Sequence, residues 1–297
     1  MSAGPYARSD FNGYFAAVYL RQFLGVFNPA DRRPDYRDPE IVQTILADAR
    51  RLLTQPSPDG PSPIPRRLFL LWQQGWDQAP ALVRATAQSW SEHNRNWEIT
   101  LVDDKTLADY APAANDIDAS GGGRTARANV ARLALLARHG GVWADATLLC
   151  ARPLDEWLPR LSQSGLFMFA APRAYRQSEI WFMASAPQSP VLAAWRDMVA
   201  DYWRLFRRPH HYYWMEYLFG LLIARNADAA RVWGETPRVR SDAAEIVAAN
   251  AFDPDAVPIL DQVVSARIPV HKLSHKWRHK GSLAGTPLGA LTGLDHI

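Results

Sequence analysis

Residues 138–147, Arg-His-Gly-Gly-Val-Trp-Ala-Asp-Ala-Thr, constrain this chain more than any other stretch. They follow a helix-like run over residues 124–139. They open on paired glycines, which stop helices because glycine enters the left-handed region without a Cβ penalty. A short apolar segment comes next, and then one carboxylate, Asp145. A helix, a glycine stop, a buried strand and an acid at the strand's end place Asp145 at the mouth of a sheet. That is where open α/β sheets hold nucleotides and metals.

The rest of the chain supplies such a sheet. Apolar runs at residues 67–72, 97–102, 141–150, 166–170 and 180–184 read as strands, with short late strands at 258–260 and 266–270. Residues 80–94, 189–206 and 212–224 have helical apolar spacing. Strands alternating with helices predict a mixed, mainly parallel, Rossmann-like sheet with helices on both faces. Gly121-Gly122-Gly123 reads as a flexible lead into the helix at 124–139, and Trp90 as core. Before the sheet, residues 11–27 and 39–53 have helical spacing, and residues 55–65 carry five prolines and a glycine, the composition of a linker. The expected division is an N-terminal helical extension with its linker, residues 1–60, and one α/β domain, residues 61–297. The extension is expected to pack on the core; insertion of Tyr14, Tyr19 and Phe23 into a membrane surface is the alternative.

Apolar residues make up 48% and charged residues 21%, the composition of a soluble globular protein. One cysteine excludes an internal disulfide framework and fits a reducing compartment. No apolar run approaches the ~20 residues that cross a bilayer, and residues 1–24, with Asp10 and two arginines, lack a signal-peptide core. The expected location is the cytoplasm. A net charge of +3 hides a basic cluster: Lys272, Lys276, Arg278 and Lys280 alternate with His271, His275 and His279. Such a cluster meets a diphosphate or an anionic lipid surface; no nucleic-acid-binding motif accompanies it.

Five stretches carry a resemblance. Trp143-Ala144-Asp145-Ala146-Thr147 resembles the Trp-Ile-Asp-Ala-Thr of the capsular polysaccharide synthesis family, related to glycosyltransferase family 32. In the wider group the motif is Asp-x-Asp. Ala128, Asn129 and Arg132, with His139-Gly140-Gly141, resemble Ser-Asp-x-x-Arg followed by Tyr-Gly-Gly. Ile64-Pro65-Arg66 and Leu71-Trp72-Gln73 resemble Ile-Pro-Lys-Ile-Ile-Trp-Gln. Lys272-Leu273-Ser274-His275-Lys276 resembles Lys-Leu-Thr-Trp-Lys, and Ile180-Trp181-Phe182 an Asn-Trp-Phe segment near the acceptor.

The resemblance implies a GT-A-type fold. It implies transfer of a hexose from a nucleotide diphosphate sugar, UDP-linked or GDP-linked with UDP favoured. The acceptor is a glycan or lipid-linked saccharide in capsular or other cell-surface polysaccharide synthesis, at the inner face of the cytoplasmic membrane. It implies a divalent metal, Mn²⁺ or Mg²⁺, on Asp145 and Thr147, with His271 and His275 as further ligand candidates. Trp72, Gln73, Asn129, Asp145, Thr147, Lys272 and Lys276 would bind the nucleotide, and Asp145 and Arg132 would serve catalysis. Thr147 and Asn129 stand where the wider pattern has carboxylates. Retention of anomeric configuration is the working mechanism; an inverting enzyme needs a base, for which Asp103, Glu179 and Glu216 are the carboxylates available. Two other readings stay open: a degenerate relative that binds a sugar nucleotide without turning it over, and a membrane-associated assembly protein.

Overall fold

The computed structural model describes residues 5–25, 33–56, 62–173 and 175–297, and side chains within them except those of residues 24 and 25. In chain order the elements are α1 (Arg8–Gly25), α2 (Pro39–Leu53), β1 (Arg67–Leu71), α3 (Ala81–His93), β2 (Glu98–Val102), α4 (Leu107–Tyr110), α5 (Gly123–His139), β3 (Gly141–Asp145) and β4 (Leu148–Cys150). There follow α6 (Leu158–Leu161), β5 (Leu166–Ala170), β6 (Ser178–Ser185), α7 (Pro190–Phe206), α8 (Trp214–Arg225), α9 (Ala227–Glu235), α10 (Asp242–Ala249), α11 (Val257–Ser265), β7 (Val270–Lys272) and α12 (Pro287–Thr292). Short 3₁₀ turns join several of them.

Five strands form the central sheet in the order β2-β1-β3-β6-β5. β1 is parallel to both β2 and β3, while β6 runs antiparallel to β3 and β5. Four strands therefore point one way and β6 the other, a mainly parallel sheet. Successive side chains along a strand face opposite sides, and here both sides are covered. Leu68 and Leu70 enter one core with Val142, Ala144, Phe167 and Phe182. Phe69 and Leu71 enter the other with Trp143, Leu166, Met168 and Met183. Helices α2, α3, α10 and α11 cover the first face, and α1, α5, α7 and α8 the second. Trp90 is fully buried, as expected, with Trp143, Trp157, Trp195 and Trp214.

The glycine pair works as the sequence implies. Gly140 ends α5 at φ +64°, its N–H bonded to Leu136 O, and Gly141 starts β3 at φ +94°. A Cβ on Gly140 would lie 2.6 Å from the Pro187 nitrogen, so space as well as conformation demands glycine. Gly121 and Gly122 differ from the flexible lead expected. They sit in a 3₁₀ turn where a Cβ would collide with the Arg207 carbonyl or with Ala126 and Trp203, so they permit close packing against the end of α7.

Three strand expectations fail, one of them at 266–270, where only Val270 is in a strand, as the first residue of β7. The apolar run at 141–150 is two strands: the chain leaves the central sheet at Asp145, and β4 pairs instead with β7 in a separate two-stranded sheet. Residues 258–260 belong to α11, where Pro258 occupies the first turn that tolerates proline and Ile259, Leu260 and Val263 face the core.

The N-terminal helices pack on the domain. Phe11, Phe15 and Val18 of α1 are buried against Tyr202 of α7 and Tyr217 of α8. Leu20 and Phe23 are exposed, and Tyr19, partly exposed, donates its hydroxyl to the His210 carbonyl at 3.2 Å. Asp38 caps α2, accepting from the Glu40 and Ile41 N–H groups, and the helix lies on α10 and α11. Among the described residues no helix is long and apolar enough to cross a membrane. Residues 26–27 and much of the proline-rich linker lie outside the described residues.

Candidate functional site

The parallel pairing of β1 and β3 sets Leu71 opposite Asp145, so both strands end at the same edge. The residues after β1, Trp72 and Gln73, therefore emerge beside the Asp145 carboxylate. β7 enters from the other side: Lys272 is in register with Leu148, and the Leu273 N–H bonds to the Thr147 carbonyl at 3.0 Å. Behind the edge, α5 presents its inward face, on which Asn129 and Arg132 are both buried.

Asp145 is the hub. Its Oδ1 accepts from Arg132 Nη2 at 3.1 Å and from Trp143 Nε1 at 3.0 Å. Its Oδ2 accepts from Lys272 Nζ at 3.1 Å, and the same ammonium donates to Thr147 Oγ1 at 3.2 Å. Arg132 is itself fixed: Nη1 donates to the Ile180 carbonyl, and the guanidinium lies over the Trp143 ring, 5.1 Å from its centroid. Burial alone would raise the Asp145 carboxyl. The charges of Lys272 and Arg132 and the hydrogen bonds from Trp143 and Lys272 outweigh it and hold the group below its ordinary value. Burial lowers the Arg132 guanidinium, against the pull of Asp145 and Glu216. The arrangement is a carboxylate that orients two cations toward open space.

Two cavities meet there. The larger, about 530 Å³, is lined by Trp72, Gln73, Arg132, Asp145, Thr147, Lys272, His275 and Lys276, together with Arg124, Thr125 and Tyr212. Its volume suits a nucleotide-sized ligand. The Trp72 Nε1 donor and Gln73 Oε1 acceptor are buried there without protein partners, and His275 stands edge-on to Trp72 at 5.1 Å. Burial, then the charges of Lys276, Lys272 and Arg278, lower the His275 pKa.

The smaller cavity, about 230 Å³, shares Thr125, Arg132, Asp145, Tyr212 and Lys272 with it and adds Asn129, Ile180, Trp181, Arg176, Glu179, Glu216 and Glu245. Arg176 lies 2.9 Å from Glu179 and 3.8 Å from Glu216, all three buried, and sits over the Tyr213 ring at 3.9 Å. Burial and the Glu179 charge push Glu216 up to about 7, against Arg176. A groove of about 670 Å³ between α2 and α11 is roomier than either, but it lies away from the strand ends.

The structure thus gathers Asp145, Arg132, Trp72, Gln73, Thr147, Lys272, His275 and Lys276 around one cavity and Asn129 around its neighbour. It does not bring in His271. Strand alternation turns that side chain away from Lys272 and into the core, where it is 1% exposed, lines neither cavity, and is lowered by burial to about 4. Asp103 lines neither cavity; its carboxylate accepts from the Lys105 and Thr106 N–H groups in a tight turn. Glu216 meets an arginine, as a buried carboxylate must, and that arginine, Arg176, escaped the sequence reading. It lies in the loop before β6 with no motif around it, and its only signal was the need of Glu179 and Glu216 for a partner.

A divalent metal fits this donor set poorly. Mg²⁺ and Mn²⁺ take about six oxygen ligands and favour carboxylates. Among the described residues Asp145 is the only carboxylate lining the larger cavity, and both of its oxygens already accept from cations. The Thr147 hydroxyl accepts from the same ammonium. Among the described residues no group of three or more His, Cys, Asp or Glu side chains is placed to hold a metal.

Fold and edge together define an α/β protein with a cation-rimmed crevice at the carboxyl ends of parallel strands. Residues 26–286 match the capsular polysaccharide synthesis protein family, and the chain belongs to that family. It is also similar to the initiation-specific alpha-1,6-mannosyltransferase of Saccharomyces cerevisiae, 28% identical over 109 residues. That match covers 33% of this chain and 23% of the relative, so the chain spans about a quarter of that protein's length. Among solved structures, the PaToxG glycosyltransferase aligns over 86% of this chain and 99% of its own, at 10% identity and a TM-score of 0.42.

Proposed function

We propose that the protein is a glycosyltransferase that moves a hexose from a nucleotide diphosphate sugar to a glycan or lipid-linked acceptor in the synthesis of a surface polysaccharide. The observation that carries this reading is the pairing of Arg132 and Lys272 on Asp145 at the joined ends of β1 and β3. Leaving-group departure puts negative charge on a diphosphate, and fixed cations aimed at that charge lower the barrier without reorganising during the reaction. In this reading Trp72 and Gln73 meet the base, Lys272, Arg132 and Lys276 the diphosphate, and the smaller cavity the sugar. Family membership and the likeness to a mannosyltransferase support it.

The anomeric configuration is retained in our reading, with the acceptor attacking from the side the leaving group vacates. Glu179 and Glu216 are then sugar-hydroxyl acceptors held by Arg176. One observation favours inversion instead: Glu216 is buried in the smaller cavity and held at about 7, where a general base works. The test is incubation with UDP- and GDP-linked hexoses, mannose first, and NMR of the product's anomeric proton. Release of nucleoside diphosphate with the donor's anomeric configuration kept is the expected result. An inverted product moves the base assignment to Glu216, and no turnover of any donor in the presence of candidate acceptors sinks the transferase reading.

A further inference from the structure

We propose that this chain binds its nucleoside diphosphate without a divalent cation, because the Lys272 ammonium occupies the metal's place; the inference rests on the donor-site reading above. Of the four side chains to which the resemblance gives the metal, Asp145 and Thr147 are bridged by one atom, Lys272 Nζ, at 3.1 Å and 3.2 Å, and His271 is buried outside the cavity that His275 lines. The second Asp145 oxygen accepts from Arg132 Nη2 and the Trp143 indole. A metal on Asp145 would have to displace the ammonium and then sit beside two positive charges fixed by the fold. Lys272 is tied by β-pairing to Leu148, and Arg132 is buried and bonded to the Ile180 carbonyl.

Among the described residues no second carboxylate lines this cavity to offset that repulsion, while Arg124 and Lys276 add further positive charge. Glu179, Glu216 and Glu245, which share the smaller cavity with Asp145, are paired with Arg176 and Arg33. The replacement of the second aspartate of Asp-x-Asp by Thr147 is then part of the same arrangement. A carboxylate there would suit a metal, whereas a hydroxyl accepts one hydrogen bond from the ammonium and adds no second negative charge against it.

In the transfer step the bond between the anomeric carbon and the β-phosphate oxygen breaks and its electron pair stays on that oxygen. The acceptor oxygen forms the new bond, and its proton passes to the departing diphosphate. Lys272 and Arg132 meet the charge that remains.

The experiment is calorimetric titration of UDP and of GDP into the full-length protein, with excess EDTA or with Mn²⁺. It is repeated for Lys272→Met and Lys272→Arg, with thermal melts to confirm folding. The expected result is an affinity for one nucleotide that agrees within about twofold with and without metal. Lys272→Met should weaken binding in EDTA at least tenfold, and Lys272→Arg should recover most of it. Mn²⁺ alone, followed by the electron spin resonance of the free ion, should show no binding to the wild type. Nucleotide binding that appears only with Mn²⁺, or Lys272→Met binding in EDTA as tightly as wild type, overturns the proposal. Absence of binding for both nucleotides under every condition overturns the donor-site reading and this inference with it.

Discussion

In the larger cavity one carboxylate, Asp145, faces four side-chain cations, Arg124, Arg132, Lys272 and Lys276. In the smaller one Glu179 and Glu216 close around Arg176, and Glu245, paired with Arg33, completes the wall. The two share a rim yet are built for different partners. A surplus of fixed positive charge suits an anion such as a diphosphate. Carboxylates held by one buried guanidinium suit neutral hydroxyls that need acceptors. The contrast also sorts stability from function: apart from the buried Arg132, the cations of the larger cavity are partly exposed and cost little to keep, whereas the buried cluster of the smaller one holds together only while its charges balance.

Removing the hub should break the comparison most completely. Asp145→Asn keeps the shape but loses the charge that aims Arg132 and Lys272, and transfer should fall about a thousandfold, ~4 kcal/mol of barrier. Steady-state kinetics with a parallel melt check this, and a wild-type rate would remove Asp145 from the site. Next comes the guanidinium of the smaller cavity. Arg176→Met leaves Glu179 and Glu216 uncompensated and should cost about 3 kcal/mol at pH 8. The loss should be smaller at pH 5, where Glu216, raised by burial to about 7, takes up a proton. Urea unfolding at the two pH values gives the answer; equal losses would mean the cluster does not titrate.

Glu216→Gln sharpens the same point. The folded value of about 7 against an ordinary 4.5 means that the folded state keeps a proton the unfolded chain has lost. The stability from this group is therefore full below about pH 4.5 and disappears as pH rises through about 7, at up to ~1.4 kcal/mol per pH unit. The glutamine variant, neutral throughout, should have a flatter stability profile between pH 5 and 7 and exceed wild type by about 1–3 kcal/mol at pH 8. An unchanged slope in denaturant melts would contradict this. The smallest effect is expected at the outer rim: Lys276→Ala should raise the donor KM by less than about fivefold, under ~1 kcal/mol, because exposed charges are screened. A collapse of kcat in that variant would show that Lys276 reaches the reacting atoms.

Much of this was legible in the chain. Pro39–Leu53 is a helix with the bounds its apolar spacing suggests, and Gly140-Gly141 places Asp145 at a strand end. What escaped depends on partners distant in sequence. Nothing local divides Val142-Trp143-Ala144 from Leu148-Leu149-Cys150; the break is decided by β7, which pairs with the second half only. The alternation of His271 and Lys272 was readable but its phase was not, since either face can be inward until the partner strand is known. Gly121 and Gly122 carry a flexible signature and prove to be packing residues because α7 ends against them. Arg176 had no pattern at all.

The central claim is that the cavity at the ends of β1 and β3 holds a nucleoside diphosphate. Hydrogen–deuterium exchange of the full-length protein, with and without saturating UDP or GDP, tests it most directly. Slowed exchange in the peptides spanning residues 71–74, 143–147 and 272–276, with residues 39–54 and 257–266 unchanged, is the expected result. Protection confined to that second pair of segments, the walls of the groove between α2 and α11, would contradict it.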